Sequence, residues 1–311
     1  MNSELIKNNV LKTLLYYDIF SHPLKDEEVF TLLPQNSVPR EKIFEAIEKF
    51  SCENDSPISY HEGYVYVKPN KHFIELRKEK EEISRKMWKA ARIVTLLIKR
   101  FPYVRAVLVT GSLSKNSSNK KSDLDFMIIT KKERLWVSRM LLMAFKKLFL
   151  FNSYKYFCIN YFITEDNLEI EDKNIFTATE IVYIKPTFNS ELMTDFIKAN
   201  LWIKDYFPNY KIGDKHFNSP GFEVNNRKSY LQRFIELFFN GKLGDKLNEH
   251  FMKITGNHWI KKYKELDENE RKQMFKTSPK TSTTHPRNMQ KEILSMYNER
   301  LKKFNLAEYN G

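Results

Sequence analysis

The sequence predicts an α+β fold: a mixed-sheet core flanked by an N-terminal module of helices and a hairpin, with a helical C-terminal third. Three observations carry this expectation. Apolar residues recur near helical spacing through the first 50 positions, β-type runs at 104–110, 124–129 and 155–164 surround one amphipathic helix, and helical periodicity returns beyond Pro186. The 311 residues suffice for two or three domains, and 41% hydrophobic with 14% aromatic residues can fill their cores.

Residues 3–20 read as a helix through Leu5, Leu11, Leu14, Leu15 and Ile19. "SHPL" interrupts it, with His22 read as a turn residue. A short helix over 25–33 follows, and Pro39 opens a third in "PREKIFEAIEKF". "PISYHEGYVYVKP" reads as a hairpin turning at His61-Glu62-Gly63. Three helices and then a hairpin is the order of a winged-helix module, assigned to 1–70. Its third helix sets Arg40, Lys42 and Lys49 against Glu41, Glu45 and Glu48. That neutrality favours a structural or protein-contacting role over groove reading.

Residues 71–100 form a charged linker helix whose first half reads as solvated. The second half gains an apolar face from Trp88, Ala91, Val94, Leu97 and Ile98. The core is expected over 101–186 and the helical C-terminal domain over 187–311, with helices near 189–206, 228–240 and 287–304. "KTSPKTSTTHPRN" reads as a polar loop in which Thr284 caps the last helix or the segment is simply solvated, with His285 or Arg287 reaching a phosphate as the alternative.

Composition narrows the function classes. The nearest approach to a membrane span, "LLMAFKKLFLF", is broken by Lys146 and Lys147, and the first residues lack a signal-peptide pattern, so a cytoplasmic protein without a membrane partner is expected. Cys52 and Cys158 make neither a disulfide framework nor a metal knot. The net charge is +13, and residues 226–303 hold 18 Lys and Arg against 9 Asp and Glu. Such a basic third suits polyanions such as nucleotides or nucleic acid, a lysine-rich solvated surface being the plainer alternative.

The chemistry concentrates in "VTGSLSKNSSNKKSDLDFMIIT". Gly111 is the only glycine between Gly63 and Gly213, and it follows a strand. A residue without Cβ belongs where the backbone turns tightly or a ligand comes close, and the N–H groups of such a turn, with the Ser112 hydroxyl, suit phosphate oxygens. Asp123 and Asp125 lie two apart at the head of the next strand, so their side chains share a face while Leu124, Phe126 and Ile128 take the other. Two such carboxylates ask for a cation, and a hard ion such as Mg²⁺ or Mn²⁺ completed by substrate phosphates would meet that demand. Capping of a turn by each aspartate is the structural alternative.

Gly-Ser after a strand, ten residues, and then Asp-Leu-Asp leading into an apolar strand resembles the signature of the nucleotidyltransferase superfamily related to DNA polymerase β. The resemblance covers about residues 101–186 and implies a mixed-sheet nucleotidyltransferase core. It also implies that Gly111 and Ser112 grip the triphosphate of an NTP substrate. Asp123 and Asp125 would hold divalent ions that align an acceptor hydroxyl with the α-phosphorus. Lys115 is a candidate for neutralising phosphate charge. The acceptor is left open by the resemblance. One departure matters: where the superfamily places a third carboxylate in a later strand, this chain offers Asn160, with Glu169, Glu171 and Glu180 as other candidates. An active nucleotidyltransferase is therefore expected if one of these reaches the ions. A degenerate nucleotide-binding or regulatory module is the alternative if none does.

Overall fold

The computed structural model describes residues 3–34, 38–151, 155–213, 217, 222–224, 230–285 and 287–309. The expected helix over 228–240 begins in part outside these residues, as does Pro286.

The N-terminal part runs α1 (Ser3–Asp18), β1 (Leu24–Lys25), α2 (Asp26–Leu32), α3 (Arg40–Ser51), β2 (Ile58–His61) and β3 (Tyr64–Val67). The strands form an antiparallel sheet in the order β1-β3-β2. The hairpin turns at Glu62 and Gly63, both with positive φ. The two-residue β1 takes Leu24 from the stretch read as a helix break and Lys25 from the start of the expected second helix.

A 26-residue helix, α4 (Phe73–Ile98), leads into the core. There follow β4 (Val104–Val109), the single turn α5 (Gly111–Ser114), β5 (Asp125–Thr130), α6 (Leu135–Phe149), β6 (Cys158–Thr164), α7 (Ile175–Tyr183) and β7 (Lys185–Phe188). Then come α8 (Ser190–Ala199), a 3₁₀ turn (Leu201–Asp205), α9 (Tyr230–Phe238), α10 (Lys242–Lys262), α11 (Glu268–Met274), β8 (Thr281–Thr283) and α12 (Met289–Lys303). The larger sheet is mixed, ordered β7-β4-β5-β6-β8, with β5 and β6 parallel and the other pairs antiparallel.

Two elements depart from expectation. Pro186 lies inside β7, where an edge strand tolerates a residue without an N–H. The supposed polar loop at 276–288 contributes β8, the opposite edge of the sheet. Its Thr-Ser-Thr sequence carries no hydrophobic alternation, so pairing with β6 rather than burial of apolar side chains defines it.

The alternation of β5 divides two cores. Met127 and Ile129, with Ala106, Leu108 and Ile163, face α1, α7 and α12. Leu124, Phe126 and Ile128, with Val107 and Val109, face α4 and α6, and Phe251 and Met252 of α10 pack against them. The first core runs without a break into the N-terminal helices. Tyr16 and Tyr297 meet edge to face with centroids 5.3 Å apart, the Tyr297 hydroxyl donates to the Lys12 carbonyl at 3.3 Å, and Arg300 bonds Asp18 at 3.2 Å.

The first half of α4 is not simply solvated. Arg77 is buried to 4% exposure, donates to both Glu28 oxygens at 2.7 and 2.9 Å and to Glu81 at 3.0 Å, and also bonds the Pro23 carbonyl. Its charge hid it among solvated neighbours, because its partner on α2 is 49 positions away. Burial alone would raise the Glu28 carboxyl, but the charge and hydrogen bonds of Arg77 overcome this and hold it at about 2.

A depressed carboxylate stabilises the fold above its unfolded value and loses that contribution as pH falls through its folded value. Glu28→Gln should therefore cost about 3 kcal/mol at pH 7. The gap to wild type should close between roughly pH 4.5 and 2, as read by urea denaturation followed by circular dichroism.

Candidate functional site

Thr110 ends β4 by donating its N–H to the Asp125 carbonyl at 3.0 Å, which fixes the next residue beside the first side chain of β5. That residue is Gly111, in the left-handed region at φ +65°. A Cβ there would sit 2.5 Å from Oδ2 and 3.2 Å from Cγ of Asp125. The lone glycine is thus required twice, by its backbone and by the carboxylate packed against it.

The loop that follows is held by α4. The Ser118 N–H donates to Ser84 Oγ at 3.1 Å, and both residues are fully buried. Trp88 Nε1 donates to Asn116 Oδ1 at 2.9 Å. Within the loop, Ser117 N–H bonds the Ser112 carbonyl at 2.9 Å, and the hydroxyls of Ser112 and Ser118 lie 3.2 Å apart. Sequence reading took Trp88 as part of an apolar face and did not single out Ser84.

Asn160 reaches the same point from β6. The β5–β6 register pairs Phe126 with Ile159 but Met127 with Tyr161, so Asn160 is the extra residue of a β-bulge. The bulge aims its amide at Asp125, donating to Oδ1 at 3.0 Å, while its carbonyl accepts from Thr284 N–H at 2.9 Å. Thr284 accordingly extends the pairing beside β8. The cap of α12 is Asn288, whose side chain accepts from Lys291 N–H.

These groups line a cavity of about 490 Å³. Gly111, Ser112, Lys115, Asp125 and Asn160 form one wall, and Glu180 faces it from α7. Lys115 Nζ donates to both Glu180 oxygens at 2.8 Å and to the Gly111 carbonyl at 3.3 Å. His285, set aside in sequence as part of a solvated loop, also lines the cavity, and burial lowers its pKa first of all.

Burial raises the Asp125 carboxyl to about 6, with the charges of Asp123 and Glu180 adding to it and Lys115 opposing. Asp123 is half-buried and close enough to act on Asp125, but it lies outside the cavity lining. Of the other carboxylates weighed from sequence, Glu169 is exposed and pairs with Lys173 at 2.6 Å. Glu171 is exposed and pairs with Lys276 at 3.1 Å. Neither lines the cavity, whereas Glu180 does. Among the described residues no group of three or more His, Cys, Asp or Glu side chains is arranged to hold a metal ion. Two carboxylates on one strand, completed by phosphate oxygens, form a smaller protein set than that.

No protein-family model, curated protein or solved structure matches this chain.

Two outcomes follow from the geometry. Gly111→Ala should destabilise the fold by about 2 kcal/mol, since the methyl group meets both a strained φ and the Asp125 carboxylate; chemical denaturation reads the loss. A carboxylate with a raised pKa removes stability as pH climbs from its unfolded to its folded value. Asp125→Asn should therefore melt above wild type at pH 7 by up to about 3 kcal/mol, with the difference opening between roughly pH 4 and 6.

Proposed function

We propose that the chain is a divalent-metal-dependent nucleotidyltransferase that moves a nucleoside monophosphate from an NTP to an acceptor hydroxyl. In this reading residues 101–186 are a polymerase β-like core and residues 1–70 a winged-helix-like module. The reading rests above all on one contact: Gly111 opens a tight turn directly against Asp125, where an added Cβ would meet the carboxylate.

The residues fit a hard divalent cation. Asp125 is half-buried beside Asp123 and Glu180, an arrangement that raises its pKa and that a positive ion would relieve. Asp123 and Asp125 would hold the ion, which supplies charge neutralisation and Lewis acidity at the phosphates. Ser112 and the N–H groups following Gly111 would bind the triphosphate oxygens. Asn160 would keep Asp125 in one rotamer through the bond to Oδ1. Lys115 is engaged with Glu180, so binding a phosphate would exchange one anionic partner for another and release Glu180 toward the acceptor.

The transfer balances simply. The acceptor oxygen forms a bond to the α-phosphorus, the bond from that phosphorus to the β-phosphate oxygen breaks, and pyrophosphate leaves with its electron pair. The acceptor proton passes to a base in the cavity, for which Glu180 is the available carboxylate. A binding-only role has one observation in its favour: the amide of Asn160 occupies the position beside Asp125 where a third acid would sit.

Mg·ATP binding by the purified chain, with pyrophosphate release in the presence of candidate acceptors, tests the reading. Asp123→Asn and Asp125→Asn should each lower turnover on the order of a hundredfold or more while leaving the circular dichroism spectrum unchanged. Binding of Mg·ATP that ignored both substitutions would reject the assignment of the site.

A further inference from the structure

The transfer needs a base on the side of the α-phosphorus from which the acceptor arrives, and the order of the strands identifies that side. Strand β4 ends just before the Gly111 turn, β5 begins at Asp125, β6 begins two residues before Asn160, and β8 ends two residues before His285. Strands β5 and β6 are parallel, while β4 and β8 run antiparallel to them, so all four points lie at one end of the sheet. Across the order β4-β5-β6-β8 they read phosphate turn, carboxylate, amide, imidazole. At about 4.8 Å per strand, the backbone at His285 stands roughly 10 Å from that at Asp125, on the side away from Gly111. In phosphoryl transfer the attacking and leaving oxygens lie roughly in line. A triphosphate held at Gly111 and Ser112 sends pyrophosphate off toward β4, so the attacking hydroxyl comes from the β8 side.

His285 has the chemistry of a base in that place. Positions 281, 283 and 285 share a face, and Thr283 and His285 both line the cavity. The His285 backbone N–H donates to the Met274 carbonyl at 2.9 Å, and its ring rests 6.1 Å from that of Tyr161. Neither ring nitrogen has a hydrogen-bond partner among the described residues, and neither is sealed from solvent as His22 Nδ1 is.

Burial, the largest influence, lowers the His285 pKa, so the imidazole is neutral and has a lone pair to offer at neutral pH. Glu180 of α7 and Asp172, ahead of α7, act on it in the opposite sense, and Lys276, past α11, opposes them. Tyr161 of β6 is kept protonated by burial, and Arg287 lines the same cavity two residues further on. A proton arriving on His285 is therefore met by two carboxylates. Glu180 is less free to take it directly, because Lys115 Nζ bonds both of its oxygens at 2.8 Å.

We propose that His285 is the general base of the transfer and that the acceptor hydroxyl binds between β6 and the segment before α12, within reach of its ring. The proposal rests on the nucleotidyltransferase reading and gives the acceptor proton to an imidazole rather than to Glu180. The acceptor oxygen joins the α-phosphorus as its O–H bond breaks, and the proton goes to a ring nitrogen of His285. The bond from the α-phosphorus to the bridging oxygen breaks, with its electron pair leaving on pyrophosphate, and the imidazolium afterwards returns its proton to water. A base supplied from beyond β8 also accounts for an amide at position 160, which then has only to hold Asp125.

The test uses water as the acceptor, since Mg·ATP bound in this way exposes its α-phosphorus to solvent in the cavity. Formation of AMP and pyrophosphate by the full chain is followed at saturating Mg·ATP, where the ion keeps Asp125 ionised, from about pH 5 to 9. His285→Gln should lower the rate on the order of a hundredfold and erase the acid limb of the profile, with Mg·ATP affinity and melting temperature unchanged. His285→Ala should regain rate in proportion to added imidazole, which a structural role would not allow. Glu180→Gln should keep the acid limb. A rate that His285→Gln leaves alone, a loss with the acid limb intact, or an acid limb that disappears in Glu180→Gln instead would overturn His285 as the base and leave the transferase standing. Mg·ATP that binds to wild type and is not cleaved at any pH would reject the transferase reading itself, and the base with it.

Discussion

The contact between Gly111 and the Asp125 carboxylate is the constraint around which the site is arranged. It fixes where β4 must stop, because the turn has to begin at the height of the first side chain of β5. A Cβ at position 111 would have to displace the Asp125 carboxylate and adopt a strained positive φ. The contact also explains the supports. The turn packs Leu113 into the core, and Ser84 and Trp88 of α4 hold the loop that follows it. Asn160, displaced by its bulge, holds the carboxylate from the neighbouring strand. Without the bulge, β6 would stay in simple register and the side chain at 160 would not be re-aimed toward Asp125.

Two ion pairs in this protein have opposite character. Arg77 and Glu28 are anchored by additional bonds to Glu81, to the Lys25 N–H and to the Pro23 carbonyl. Glu28 is held ionised despite its burial, which marks a pair that stabilises the junction of α2 and α4. Lys115 and Glu180 lie on a cavity wall, each less covered than Arg77, and one neighbour is an aspartate that burial drives toward its neutral form. Any anion that satisfied Lys115 would leave Glu180 and Asp125 facing each other, a repulsion that a cation or a donated proton relieves. The first pair resists change and the second is suited to exchange.

Much of this was legible in the sequence because it depends on local period and on residue types with few uses. The division of β5 into two faces follows from simple alternation, and Leu124, Phe126 and Ile128 do enter a different core from Met127 and Ile129. Gly111 stood out because it is the only glycine between Gly63 and Gly213. The misreadings share a cause. Arg77, His22 and His285 are polar residues in polar-looking segments, and their burial comes from partners that sequence distance conceals. The strand β8 was hidden because hydrogen bonding to β6, rather than an apolar face, makes it a strand. The choice among Asn160, Glu169, Glu171 and Glu180 was open because it turns on a one-residue bulge and on where α7 crosses the sheet, neither of which has a local signature.

The N-terminal helices gain their meaning from the same long-range packing. Helix α3 is electrically balanced and presents no basic face, whereas the end of α1 delivers Tyr17, Phe20 and His22 to the cavity. The core around α1 is continuous with the one beneath β5 and α7, and Tyr16, adjacent to Tyr17, packs on Tyr297 of α12. A shift of α1 would therefore move the cavity wall and break the packing with α12 together, since close-packed side chains do not yield one at a time. The segment that reads in sequence as a separate module is, in its packing, one side of the cavity.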